Sequence, residues 1–292
     1  MSRGREVPVP SAALRWAVAV AVGLGLSACT CDGGGGGARD APSPEGEAEV
    51  LADAPGLHAD RVRWSAEQEA GWVWRVRLPR SRSVLSVLPS DDVVPMDAFP
   101  LPRTEAWAAI NGGFYEDGPM GLVLANGEEL APLQPRGGSG VMVVGHAGVR
   151  VVHASAWPQA ATHALQSIDR LVVDGSNVVS PTADDTKAAR SAVALTAGHV
   201  WFVASAADAS ISQVGPRSWA LDKVYGHGMT LHQFAAWLQQ ELGADDALNL
   251  DGGLSTQMRV RVPGGGFALR GVSGTINVVV AEPGVTRRGT EE

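Results

Sequence analysis

The sequence is poor in the residues that support thiolate, metal or nucleic-acid chemistry. It has two cysteines, Cys29 and Cys31, both close to the N-terminus. A domain downstream of them therefore has no disulfide, no thiolate metal site and no cysteine nucleophile. Lysine occurs only at Lys187 and Lys223. The formal net charge is −8, and −10 once residues 1–28 are set aside. An acidic chain with no basic patch argues against nucleic acid as a partner, and the charge serves solubility. The seven histidines, at 58, 146, 153, 163, 199, 227 and 232, form no ligand spacing of the HExxH kind. Neither a GxSxG elbow nor a P-loop occurs. No metal and no cofactor are expected. Of the histidines, His227, in a Gly-His-Gly turn before the 230–242 helix, is the one singled out as a candidate.

Long apolar runs are also missing, with one exception. Residues 16–26 form an apolar stretch of eleven, preceded by Arg3, Arg5 and Arg15. A bilayer span needs roughly 20 residues, so this length fits the core of a signal peptide. Leu26-Ser-Ala-Cys29 follows and resembles a bacterial lipobox, with cleavage before Cys29 and lipidation of it; an ordinary signal cleaved after Ala28 is the alternative. Thr30 rather than Asp follows the cysteine, which points to the outer membrane where two membranes are present. The expected organisation is a signal peptide over 1–28 and a lipidated Cys29 with a Gly- and Pro-rich tether over 29–56. A single globular domain over 57–283 and a disordered tail over 284–292 complete it. The expected location is the cell envelope, with a lipid anchor in the membrane.

Glycine is abundant, at 36 residues, and short Val-, Ala-, Leu- and Trp-rich runs lie between Gly and Pro turns. This pattern predicts strands. Gly71 to Leu78 and Ser83 to Leu88 read as strands, and Asn126-Gly127 reads as a tight hairpin turn. Further hairpins are predicted around residues 146–148, Gly175 and 196–198, and a short helix near 104–107. One long helix is signalled by Thr230 with Gln233, a capping box, followed by apolar residues at helical spacing and Gly243 as a stop. The fold class is α+β: an extended mixed or antiparallel sheet of hairpins with helices packed against it.

The most informative stretch is Ala247-Leu-Asn-Leu-Asp-Gly-Gly-Leu-Ser-Thr256. Asn249 and Asp251 are two apart, so an extended strand turns both to one face. Gly252 and Gly253 let the backbone turn and a ligand approach. Asn111-Gly112-Gly113 repeats the grammar, and the asparagine amide suits sugar hydroxyls while successive glycine amides suit an anion. Arg190, beside Ser191, offers a planar fork for phosphate. Each has a bland alternative: both Gly-Gly motifs occur as simple turns, and an arginine at a strand edge is commonly just solvated.

Taken in order, these pieces resemble the phosphodiester glycosidase family. Ala109 to Tyr115 is similar to its Asn-Gly-Gly-Phe-Phe block, Met120 to Gly127 to its Gly-Leu-Val hairpin, and Ala164 to Ser167 to its Gln-Ser-Gly-Pro segment. Ala189 to Val193 is similar to its Arg-Thr-Ala block, the 230–238 helix to the helix before its last motif, and Ala247 to Thr256 to Asn-Leu-Asp-Gly-Gly-Gly-Ser. Ile168 and Asp169 depart from Gly-Pro, Leu254 from the third glycine, and Ser191 from threonine. The resemblance implies cleavage of the sugar C1–O bond of a sugar-1-phosphodiester, such as an N-acetylglucosamine-1-phosphodiester glycan. It implies Asp251 as base or nucleophile, Arg190 on the phosphate, and Asn111 and Asn249 on sugar hydroxyls. Gly112, Gly113, Ser167, Ser191, Gly252, Gly253 and Ser255 would complete the substrate site. The alternatives are a non-catalytic glycan-binding envelope lipoprotein on the same fold, which the departures motivate, and an envelope scaffold, which the two polar motifs argue against.

Overall fold

A computed structural model describes residues 42–66, 69–158, 160–182, 186–223 and 225–284. The signal peptide, Cys29, the Gly33 to Gly37 run and residues 285–292 lie outside the described residues.

The alternating and apolar runs form strands in three sheets. The largest has the order Ser43–Ala54, Leu57–Ala66, Glu69–Pro79, His199–Ala207, Arg190–Leu195, Asp246–Asn249, Arg170–Val173, Ser176–Asn177. The second runs Ile211–Gly215, Ser218–Leu221, Gly265–Arg270, Met258–Val262, Trp107–Asn111, Thr275–Pro283, Ser83–Val94. The third runs Glu128–Ala131, Val123–Ala125, His163–Ser167, Gly140–Gly145, Gly148–His153. All pairings are antiparallel except that of Ser218–Leu221 with Gly265–Arg270. The described residues belong to one compact unit.

The inner faces of the three sheets meet in one core. Trp74, Phe202 and Leu248 from the first sheet, Ile110, Met258 and Val279 from the second, and Met142 and Leu165 from the third are buried together. The opposite face of the first sheet is covered by the helix Leu231–Leu242, whose Phe234, Trp237 and Leu238 pack on Val73, Ala192 and Val203. The capping box is present: Gln233 N donates to Thr230 Oγ1 at 3.2 Å and Thr230 N to Gln233 Oε1 at 3.0 Å. Gly243 ends the helix in the left-handed region, at φ 62°. Asn126 and Gly127, both at positive φ, turn the predicted hairpin. No described helix is long and apolar enough to cross a membrane.

Three expectations need correction. The fold is β-rich α+β, with three packed sheets in place of one extended sheet and one α-helix among the described residues in place of several. Residues 104–106 form a bend and Trp107 already opens a strand, in place of a short helix, because Trp107–Asn111 is a central strand buried on both faces whose pairing on both sides outweighs local preference. The domain also begins earlier than residue 57. Ser43–Ala54, inside the predicted tether, pairs with Leu57–Ala66 across a turn at Gly56, and Leu51 and Ala52 enter the core. The polar Pro- and Glu-rich composition concealed this edge strand because most of its side chains face water.

Candidate active site

Three strand ends converge on Asp251. Asn111 ends a central strand of the second sheet, Arg190 and Ser191 begin a strand of the first, and Asp251 follows the end of its neighbour there. Asn111 Nδ2 donates to the Asp251 carbonyl at 2.5 Å, and Asp251 N donates to the Gly112 carbonyl at 2.9 Å. Ser191 Oγ donates to Asn111 Oδ1 at 2.9 Å, and Gln257 N donates to the same oxygen at 3.0 Å. The link between the two motifs is thus made of hydrogen bonds, not only of proximity.

The Asp251 carboxyl is largely buried. Burial pushes its pKa up to about 6, and hydrogen bonds from Ser255 and from the Gly252 backbone oppose the shift without cancelling it. A carboxylate poised there is a base near neutral pH. Arg190 passes close by: a Cβ placed on Gly252 would lie 3.9 Å from Arg190 Cδ and 2.9 Å from the Ala189 carbonyl. That approach requires glycine at 252. Arg190 is itself buried, and its guanidinium donates to the carbonyls of Met229, at 3.1 Å, and Thr186.

The structure assigns several predicted contacts to holding the site together. Asn111 is completely buried, so its amide serves Asp251, Ser191 and Gln257 rather than a sugar hydroxyl. The Gly112, Gly113 and Gly253 amides do not form an open anion nest. They donate to Asn277 O at 2.9 Å, Asn277 Oδ1 at 2.8 Å and Ala189 O at 2.8 Å. Ser167 and Asn249 are buried, and Ser167 Oγ and Asn249 Oδ1 have no protein partner. Gly113 lies against the Gln166 carbonyl, 2.8 Å from where its Cβ would be, which brings the Gln166-Ser167 segment to the same place. Ser255, hydrogen-bonded to Asp251, lies with its Oγ 3.3 Å from Ser273 Oγ. His227 pairs with Glu69 at 3.1 Å, and Lys187 reaches the other oxygen of Glu69 at 3.2 Å. Among the described residues no three His, Cys, Asp or Glu side chains come close enough to hold a metal ion.

Two residues absent from the sequence reading, Asn277 and Gln257, and Gln166 of the 164–167 segment complete the framework. Asn277 fills the space beside Gly112, so that a Cβ there would overlap Asn277 Oδ1. Gln257 ties Asn111 to the Met96 amide, which donates to Gln257 Oε1 at 3.2 Å. Gln166 accepts from the amides of Leu122 and Gln134 and donates to the carbonyls of Gln134 and Gly138, pinning the 121–138 segment. One signal was available: Asn277 is the single amide in the apolar run 276–281, where only a strongly bonded polar group is tolerated. Tyr225, lying against Gly253, had none.

The phosphodiester glycosidase family profile matches residues 104–286. No curated protein matches the chain. Among solved structures, the catalytic domain of zebrafish N-acetylglucosamine-1-phosphodiester α-N-acetylglucosaminidase, auto-inhibited by its pro-peptide, is similar in fold. It superposes with a TM-score of 0.54 at 15% identity over 82% of this chain and 88% of that one. A hypothetical protein from Synechocystis superposes with a TM-score of 0.53 at 16% identity over 81% of this chain, which spans 64% of that protein's length. With the profile match covering the strand ends that carry Asn111, Arg190, Asp251 and Asn277, the chain belongs to the phosphodiester glycosidase family.

Proposed function

We propose that this protein hydrolyses a sugar-1-phosphodiester at the sugar C1–O bond and releases the free sugar. Its substrate class is an N-acetylglucosamine-1-phosphodiester-like glycan, the class named for the zebrafish neighbour. The observation that carries the reading is the Asp251 carboxyl, raised to about 6 by burial and fixed through its own backbone to Asn111 and Gly112. In the reaction the water oxygen bonds to C1, and the electrons of the C1–O bond leave on a phosphate monoester. Asp251 takes the proton of the attacking water or attacks C1 itself. A phosphate ester is a good leaving group, so a strong general acid is less necessary than for an ordinary glycoside. What remains is to stabilise an oxocarbenium-like state. Arg190, whose Cδ would lie 3.9 Å from a Cβ on Gly252, is the residue proposed for the phosphate.

A panel of sugar-1-phosphodiesters, assayed for free sugar, tests the proposal. Release of sugar by wild type and its loss in Asp251→Asn supports it; absence of release across the panel refutes it. Binding of panel members without turnover would select the second reading, a glycan-binding lipoprotein on the same fold. Ile168, Asp169 and Leu254, departures from the family pattern, and the occupied glycine amides favour that alternative. We further propose that Cys29 carries a lipid that anchors the domain to the envelope, on the strength of the Leu26-Ser-Ala-Cys29 segment.

A further inference from the structure

Three large side chains remain exposed around the 253–255 turn that follows Asp251. Leu254 is 37% exposed, Val272 50% and Tyr225 61%. They come from separate segments yet are joined. The Val272 and Ser273 amides both donate to the Leu254 carbonyl, at 2.9 and 3.0 Å. A Cβ on Gly253 would stand 2.9 Å from Tyr225 Oη and 3.0 Å from its ring carbons, so the phenol lies on the Gly253 backbone. Ser255, bonded to Asp251, touches Ser273. The rim is therefore continuous with the catalytic turn.

Val272 and Ser273 also line a groove of about 460 Å³. Met96, Met258 and Leu269, each at most 5% exposed, form its floor, and the exposed Asp97, Arg259 and Arg270 stand at its polar edges. Leu254 presents an apolar group at the turn that follows Asp251. A sugar and a phosphate gain little from aliphatic walls, whereas an alkyl or aryl substituent gains in proportion to the area it buries.

Resting on the hydrolase reading above, we propose that the rim and groove form the subsite for the leaving alcohol, and that this alcohol carries an alkyl or aryl group. The reaction is unchanged: water's oxygen goes to C1, and the apolar group departs on the phosphate monoester.

Two phosphodiesters of one sugar, a methyl and an octyl ester, test this on the full chain below the micelle concentration of the octyl compound. The octyl ester is expected to show a KM lower by about tenfold, the effect of burying roughly two methylenes. In Leu254→Ser and in Val272→Ser the ratio of the two esters should fall towards one. Calorimetric titration of octyl phosphate against methyl phosphate gives a second readout, with the same preference and the same loss in both variants. Equal KM values and equal binding in wild type overturn the subsite, as does a preference that both variants retain. If neither ester is cleaved, the hydrolase reading fails, and the titration still decides the subsite.

Discussion

Asn111 Nδ2 donates to the Asp251 carbonyl at 2.5 Å, joining two strand ends that lie 140 residues apart in the chain. The bond goes to the backbone of the acid and leaves its carboxylate oxygens to other partners. Asn111 is therefore a positioning residue for Asp251: it sets where the carboxylate starts from, while Ser255 and the Gly252 backbone meet the carboxylate itself.

Asp251→Asn is expected to lower turnover by about 10²–10⁴-fold, the contribution of a base, or more if Asp251 is the nucleophile. The same substitution should raise stability at neutral pH. Burial makes the folded carboxyl hold its proton up to about pH 6, against an ordinary value of 3.8. Between those values the folded state binds a proton the unfolded state has lost, so stability falls as pH rises through the window. Above it the cost reaches on the order of 3 kcal/mol. Melting curves at pH 4 and pH 7.5 should show Asp251→Asn gaining on wild type only at the higher pH. A variant that melts below wild type at both would dismiss the buried-charge account.

The catalytic rate should carry the same titration. A base or nucleophile must be ionised, so kcat/KM is expected to rise as pH passes about 6 and then to level. A profile flat from pH 4.5 to 7.5 would remove Asp251 from the ionising step.

Gly112→Ala should destabilise the fold by about 1–3 kcal/mol or more through overpacking against Asn277. Replacing Asn277 by Ala alone also costs stability, because the buried Gly113 amide loses its acceptor. The double variant should lose less than the two single losses added together, since removing Asn277 Oδ1 removes the overlap. Thermal or urea melts of the four proteins measure this; strict additivity would mean that the two positions do not press on each other.

Arg190→Lys should both weaken phosphodiester binding and loosen the fold. Lysine keeps the charge but lacks the fork that reaches the Met229 and Thr186 carbonyls, so KM should rise and stability fall by about 1–3 kcal/mol. Kinetics beside thermal melts read the two effects. Wild-type values of both would return Arg190 to the status of an edge residue.

Cys29→Ser should move the protein from the membrane fraction to the soluble one. Mass spectrometry of the N-terminal peptide provides the direct readout: an acylated Cys29 in wild type supports the anchor, and an unmodified one in a membrane-bound protein refutes it.

Local rules made much of the architecture legible. The Thr230–Gln233 box, the Asn126-Gly127 turn and the alternating 71–78 run each contain their own cause within a few residues, and the structure shows all three. The site was legible as a set of motifs, because glycines and polar side chains at strand ends are visible in one dimension. Its internal bonding was not. Whether the Gly113 amide faces a ligand or Asn277 depends on a strand 164 residues away, and whether Asn111 meets a sugar or Asp251 depends on one 140 residues away. The edge strand Ser43–Ala54 was hidden for the same reason: its hydrogen bonds come from its neighbour, while its composition reads as a tether.

The place of the strand Thr275–Pro283 has a consequence for how the molecule comes into being. It lies between Ser83–Val94 and Trp107–Asn111, two strands made much earlier by the ribosome. Until it emerges, those two strands have an open slot between them, and Gly112 and Gly113 lack the Asn277 that holds them. Closing such a distant pairing is slow. Synthesis of the intervening residues therefore sets when the site can be completed. A protein with activity is one in which Thr275–Pro283 has already been inserted.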